Sequence, residues 1–514
     1  MLGFSQIWIV SFGAKWIHGE GWTPSFLAAR ELFSKQTMAL NRSEVLTTRL
    51  PPYPTANTAV LVSFAGDAIA GCHVRLGWPP PTRMIDLSVE FRKLTNGRRK
   101  PCGDGLIGAL IWFGVSASRV VANPTSIRNG TVEVAALERL YLEIQPYLDP
   151  PRAILRGRYL LATARIEATG IPVNLERFEM LNRHWRNVVR QIGTAISDAK
   201  PSALAIGLDR RHRAPLRPFS SRTGRNQPSS NEFLMAAPGW LRQLITPDFG
   251  RGLALVDWQQ HEYGIAAALS GDERMMADYE SGDPYLALAE RYGGDYGPSV
   301  HGARRGAFKA CALGVLNGIG PNSLARQIGG SVTEAHLLLQ EHHAEYPRFW
   351  RWSDGVEMHA YLHGGLQSVF GWAVAVDAAT NPRFSRNFPM QANGAEMLRL
   401  ACCLATERGV TVCAPHHDAL LIEAPLEELG DAVTSTETAM AEASEIILDG
   451  FRLRTSVTAI RYPDHYPHPR SDALWSEIDR TLAELGESSE PAHQRNTSCA
   501  QTRPRSISSY VYNR

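Results

Sequence analysis

The sequence predicts an α/β multidomain protein, and three observations predict it. A chain of 514 residues is long enough for several packed units. Short apolar runs of strand length recur at 7–12, 60–64, 253–256, 410–414 and 419–422. Between them lie long stretches with apolar residues at helical spacing, as over 175–196 and 331–370. A hydrophobic fraction of 44% suits an ordinary globular interior. Net charge is only +2, so any nucleic-acid contact must come from local basic clusters and not from an overall field.

Cys72, Cys102, Cys311, Cys402, Cys403, Cys413 and Cys499 form no CxxC pair and no zinc spacing. They read as reduced thiols of a cytosolic protein. No run of about 18 apolar residues offers a membrane span. The apolar start at 7–12 is too short for a signal sequence and reads as a first strand.

In chain order, 1–150 mixes strand and helix, with a strand at 60–64 and a helix beginning over 86–92. The glycine-rich 103–114 lacks the Gly-Lys-Ser ending of a phosphate loop and reads as packing. Residues 152–196 are helical, broken at Gly170-Ile-Pro-Val173, with Arg183, Arg186 and Arg190 on an outer face. Periodicity is lost over 199–232, where six arginines gather from Arg210 to Arg225 among Pro, Ser and Gly. A loop such as Thr223-Gly-Arg225 can lie on a phosphate backbone, or simply be solvated.

The run 253–256 ends on Asp257, with a helix after it. A tight hairpin, Pro415-His-His-Asp418, joins the strands at 410–414 and 419–422. Carboxylates at strand ends are ordinarily caps or turn residues. Two of them on neighbouring strands can hold hard cations, and such a pair of ions clamps a phosphoryl transfer. Arg305, Lys309 and Leu313 share one helix face, so the two cations could grip a triphosphate or form a solvated stripe. Arg383, Asn387 and Gln391 recur every fourth position ahead of a helix expected from Pro389 to Glu407, with Pro389 in its first turn and Asn387 as a possible cap. His342 and His343, being adjacent, are expected at the surface. The tail from 486 is expected to be disordered.

These segments resemble the family A DNA polymerases, the DNA polymerase I type, in the flavour of phages and mobile elements. Asp257-Trp-Gln-Gln-His-Glu262 is similar to the family's motif A. Arg305-x-x-x-Lys309, with Leu313-Gly and Asn317-Gly, is similar to motif B, and His417-Asp418-Ala419 to motif C. Thr223-Gly-Arg225 resembles the primer-side loop, and Arg383-x-x-x-Asn387-x-Pro-x-Gln391 the segment that reads the minor groove. The resemblance covers about residues 150–470, with the five motifs in order.

It implies a ribonuclease H-like exonuclease-type domain followed by a right-hand polymerase with thumb, antiparallel-sheet palm and helical fingers. The expected divisions are 1–150 exonuclease-like, 151–202 a short thumb, 203–284 first palm part, 285–375 fingers, 376–475 second palm part and 486–514 a basic tail. Asp257 and Asp418 would bind two Mg2+. Arg305 and Lys309 would bind the incoming phosphates, with Lys309 donating a proton to pyrophosphate. Gln260, Glu262, Leu313 and Asn317 would shape the nucleotide pocket, Glu262 excluding ribonucleotides. Arg225, Arg383, Asn387, Gln391 and His417 would hold DNA. The implied partners are primer–template DNA and deoxynucleoside triphosphates, for a monomer in the cytoplasm associated with the nucleoid.

Departures shape further expectations. Leu313 stands where the family has Phe or Tyr, and Asn317 replaces a Tyr that partners the sugar-gate glutamate, so weaker sugar discrimination is expected. Ala419 removes a dispensable motif C carboxylate. In 1–150, Ser11-Phe-Gly13 stands where a carboxylate pair belongs, Asp67 alone represents the second motif, and Asn129 with Glu133 the third. That pattern implies lost proofreading, and the short thumb implies low processivity. The alternative is a decayed remnant that binds DNA without efficient turnover. Glu262 argues against a single-subunit RNA polymerase.

Overall fold

The computed structural model describes residues 6–120, 126–196, 201–293 and 298–487. The chain starts as an antiparallel meander of β1 (Gln6–Ile17), β2 (Gly21–Glu31) and β3 (Thr37–Asn41), closed by α1 (Arg42–Thr47). Asn41 and Glu44 cap α1 reciprocally. Next come β4 (Ala59–Ser63), α2 (Gly66–Leu76), β5 (Met84–Asp86), α3 (Leu87–Thr95), α4 (Leu106–Trp112) and α5 (Ile127–Ile144). β4 and β5 join β1 in parallel, giving the order β3-β2-β1-β4-β5. β1 is apolar at nearly every position because both faces are covered. Trp8, Val10 and Phe12 enter one core cluster, while Ile7 and Ile9 enter a second one with Leu137 and Leu140 of α5.

α6 (Pro150–Thr169) is capped by Asp149, with proline in its first turn. It packs on β5 and α2, and its buried Arg156 forms a bidentate pair with Glu90 of α3 at 2.6 and 2.8 Å. A short pair follows, β6 (Ile171–Pro172) with β7 (Arg211–His212), and between them lies α7 (Leu175–Ile192). The central strand β8 (Arg251–Trp258) leads into α8 (His261–Ser270), α9 (Glu273–Glu280), α10 (Pro284–Gly293), α11 (Pro298–Leu316), α12 (Pro321–Ile328), α13 (Val332–Glu345) and α14 (Pro347–His363). The hairpin β9 (Gly365–Gln367) and β10 (Ala373–Ala375) returns the chain to α15 (Pro382–Glu407), β11 (Thr411–His416), β12 (Ala419–Pro425), α16 (Leu429–Ile447), β13 (Thr455–Arg461) and α17 (Asp472–Glu487). The second sheet is antiparallel, in the order β11-β12-β8-β13, and α15 and α16 pack against it. No helix of the described residues is long and apolar enough to cross a membrane.

Two local expectations are corrected. α15 starts at Pro382, with Asn381 as cap, and Pro389 lies inside it. Asn387 is therefore a helix residue and not a cap. Second, His342 is fully buried. Burial, with His343 beside it, holds its imidazole down to about 3, and it packs edge-on to Tyr346 at 4.8 Å. Two adjacent residues of an amphipathic helix differ by about 100°, so one can enter the core while its neighbour faces out. α17 is seated on α7 by Arg177, which pairs with Asp479 at 2.5 Å and lies 3.8 Å over the Trp475 ring. The expected disordered tail lies, from 488 on, outside the described residues.

Candidate active site

The site is built by strand register. β12 pairs antiparallel with β8, so that Ala419 lies opposite Asp257. β11 and β12 are joined by the two residues His417 and Asp418, with His417 at φ 55°, the left-handed conformation that two-residue hairpin turns need. Trp258 N donates to Asp418 O at 3.2 Å, locking the turn beside the end of β8. The carboxyls of Asp257 and Asp418 therefore meet. Burial first, and then the charge of Asp418, raises the Asp257 carboxyl. Burial also raises Asp418, against the opposing pull of Asp257, His417 and Arg225.

His261 gives no compensating charge. His261 Nδ1 stands 3.9 Å from Asp418, but burial, then Arg225, holds it down to about 3, so it is neutral. Asp257 Oδ1 is buried without a hydrogen-bond partner. Two crowded carboxylates with an unpaired oxygen form a donor set that suits hard divalent cations. Among the described residues no group of three or more His, Cys, Asp or Glu is arranged to hold a metal. The pair would need further oxygens, such as backbone carbonyls, substrate or water, to complete a coordination shell.

Arg225 faces this pair from the loop between β7 and β8. Its Nη2 is 3.8 Å from Glu262; burial lowers the guanidinium's value, while Glu262 and Asp418 oppose the shift. Glu262, in the first turn of α8, accepts a hydrogen bond from Gln391 of α15. Gln260 begins α8 at φ 44° and is held by Arg454, whose Nη2 donates to its Oε1 at 3.1 Å and to the Tyr279 and Gly282 carbonyls at 2.8 Å each. His417 is exposed, its ring 4.1 Å from that of His416. With Arg225, Asn226, Gln227 and Arg399 these two histidines line a cleft of about 230 Å³.

The carboxyl-terminal end of α11 meets α15. Asn387, one turn before Gln391, donates to Leu316 O at 3.1 Å and to Asn317 Oδ1 at 3.0 Å. Asn317 in turn donates to Leu313 O at 3.0 Å. The stem of Arg383 lies over Gly318, where a Cβ would meet its Cγ at 2.8 Å. Arg305 is paired with Asp283 at 2.6 Å and stands 5.9 Å from the Tyr285 ring. Tyr285 sits between Arg305 and Glu262, feeling both charges. Lys309 is exposed, one turn from Arg305, and makes no ion pair with another described residue. Leu313 is half-buried on that face.

Contacts thus connect Asp257, Asp418, Arg225, Glu262 and Gln391, and α15 carries them on to Asn387 and Asn317. Arg305 joins through Tyr285; Lys309 and Leu313 join only through their shared helix. Sequence reasoning missed Asp283, Tyr285 and Arg454. Asp283 precedes a proline at a helix start, which looks like an ordinary cap, and Arg454 lies almost two hundred residues from Gln260 with no local signal.

The model of DNA polymerase family A matches residues 234–459. This stretch is similar to DNA polymerase family A. It contains motifs A, B and C, the groove segment of α15 and the whole of the second sheet apart from the end of β13. Similar proteins include DNA polymerase I of Chloroflexus aurantiacus, 27% identical over 207 residues, covering 37% of this chain and 22% of that one. The thermostable DNA polymerase I of Thermus thermophilus is 24% identical over 217 residues, covering 40% and 26%. The DNA polymerase of Mycobacterium phage D29 is 27% identical over 238 residues, covering 45% and 39%. The matched part therefore spans well under half the length of these relatives. Among solved structures, the polymerase domain of Pol1 from M. smegmatis, in complex with DNA primer-template and dNTP, superposes with a TM-score of 0.72 at 15% identity, over 90% of this chain and 96% of that one. The chain has that polymerase-domain fold, as the α/β multidomain expectation required.

Proposed function

We propose that the chain is a DNA-directed DNA polymerase, adding deoxynucleotides to a primer 3′ end on a DNA template. The observation that carries this reading is the β8–β12 register, which sets Asp257 and Asp418 side by side, with a buried unpaired oxygen, in a family A polymerase fold. Asp257 and Asp418 would hold two Mg2+, which supply activation of the primer hydroxyl and neutralise charge on the transferring phosphate. Arg305, braced by Asp283, and the exposed Lys309 would bind the triphosphate from the opposite side, and Lys309 would give a proton to the departing pyrophosphate. Arg225, Arg383, Asn387, Gln391 and His417 would hold primer and template, with the salt dependence of phosphate contacts. Low processivity from a short thumb at 151–202, and a monomer in the cytoplasm, belong to the same reading.

Glu262 with Gln391 would form the floor under the sugar, and Asn317 is spent on Asn387 and on its own helix. Asn317→Tyr should therefore raise the preference for dATP over ATP. About one added hydrogen bond, worth roughly 1 kcal/mol, corresponds to about fivefold. Single-nucleotide incorporation assays measure it, and a wild-type ratio equal to or above the variant's contradicts it.

The amino-terminal sheet order supports an exonuclease-like fold whose proofreading is lost. Ser11 stands on β1 with Glu133 beside it, pushed up to about 7 chiefly by burial. Burial, then the charge of Asp86, raises the Asp67 carboxyl, and Ser11 gives β1 no carboxylate of its own at this point. A primer with a mismatched 3′ end should remain intact with the protein and Mg2+. Metal-dependent trimming that Asp67→Ala removes would overturn this.

The second reading, a remnant that binds DNA with little turnover, draws on Arg305, Asn387 and Gln391, whose side chains already have partners within the chain. Primer extension with Asp418→Ala as control separates the two readings.

A further inference from the structure

The loop that carries Arg225 is held from a direction that the polymerase chemistry does not explain. Its carbonyls at Arg222 and Gly224 are both taken up. Arg399 of α15 donates to Gly224 O at 2.6 Å. Trp372, in the turn of the β9–β10 hairpin, donates Nε1–H to Arg222 O at 3.0 Å. The third donor comes from the amino-terminal domain. Asn96, at the end of α3 and only 8% exposed, donates one amide hydrogen to Arg222 O at 2.7 Å and the other to Ala373 O at 2.8 Å.

The fit around this amide is close on every side. Ala375 N donates back to Asn96 O at 2.8 Å. Gly97 follows at φ 80° with Ala375 O so near that a Cβ would stand 2.5 Å from it, so any side chain there would force the strand away. Gly224, at φ 76°, lies flat on the Trp372 ring, which stacks on Phe219 at 5.3 Å. Arg92 of α3 reaches Phe219 O at 3.4 Å. One buried amide thus ties three segments together, and Arg225 leaves the fixed backbone toward Glu262 and Asp418.

We propose that Asn96 is a positioning residue of the polymerase site, and that the amino-terminal domain braces the Ser221–Arg225 loop so that Arg225 is aimed into the cleft. This rests on the polymerase reading for its kinetic consequence, but not for its structural one. Removing this amide takes one donor from each of two part-buried carbonyls and leaves Arg222 O with the Trp372 indole alone.

The test compares Asn96→Ala with Asn41→Ala, which removes the α1 cap of the same domain far from the loop. In Asn96→Ala, amide exchange over 220–226 should accelerate about tenfold, the scale of two lost hydrogen bonds. kcat/KM for primer–template should fall by a similar factor, with KM for dNTP within about twofold. The double variant with Arg225→Ala should be no worse than Arg225→Ala alone. Asn41→Ala should change none of these. If Asn96→Ala fails to fold, Trp372→Phe removes the indole donor to Arg222 O while keeping an aromatic ring against Gly224 and Phe219, and should speed exchange in the same segment. Unchanged exchange in the folded variant, or losses for Asn96 and Arg225 that multiply, overturns the proposal. Should the wild-type chain extend no primer, the polymerase reading fails, while loop exchange still decides the role of Asn96.

Discussion

Asp418→Ala abolishes primer extension, by about a thousandfold or more, and leaves affinity for primer–template within about threefold. The size follows from what the pair is asked to do: a two-ion clamp on attacking and leaving oxygens stabilises transition-state charge directly, and one missing anchor forfeits it. The proposed DNA contacts lie mainly on Arg225, Arg383 and α15, none of which the substitution removes. A second readout is independent of catalysis. Burial raises both carboxyls, and the charge of Asp418 raises Asp257 further, so the ionised pair costs stability. Without divalent ions, Asp418→Asn should raise the thermal midpoint by roughly 2 °C, and added Mg2+ should then stabilise the wild type more than the variant. A variant that extends primers within tenfold of wild type, or a midpoint that falls, contradicts the assignment of this pair.

Lys309→Ala should lower the maximal rate of single-turnover incorporation by about a hundredfold to a thousandfold and raise KM for dNTP. Arg305 is steadied by Asp283 at 2.6 Å, whereas Lys309 is exposed and can meet a phosphate without breaking an ion pair to a described residue. A fixed cation where charge develops is typically worth this much. Lys309→Arg divides the role. Arginine restores a cation for phosphate binding but does not release its proton near neutral pH. KM should recover and the rate should not. Recovery of both leaves Lys309 as a binding cation only, and a Lys309→Ala rate within about twofold of wild type removes it from the mechanism.

Asp257 and Asp418 could be picked out because each ends or begins an apolar run, a pattern that local sequence carries. What places them together is the pairing of Ala419 with Asp257 across 162 residues, and no local signal encodes that register. The start of α15 was obscured by two competing signals. Asn381-Pro382 and Asn387-x-Pro389 both resemble a cap followed by a first-turn proline, and tertiary packing selects the first. The missing N–H of Pro389 only leaves the Ser385 carbonyl without its helical donor. His342 could not be told from His343 because a charge-capable ring is ordinarily outside, and only the packing of Tyr346, Phe349 and Trp350 around it makes it core. Arg454, Asp283 and Asn96 act across long sequence separations, on a left-handed Gln260, a helix cation and a loop carbonyl. Their side chains look like ordinary surface residues until the chain is folded.

The most direct measurement is primer extension by the full chain on a DNA template with the four deoxynucleoside triphosphates and Mg2+. The expected result is template-directed lengthening of the primer that disappears on chelation and in Asp257→Ala. Binding of primer–template without any added nucleotide would contradict it, and would leave a fold that grips DNA but performs no transfer.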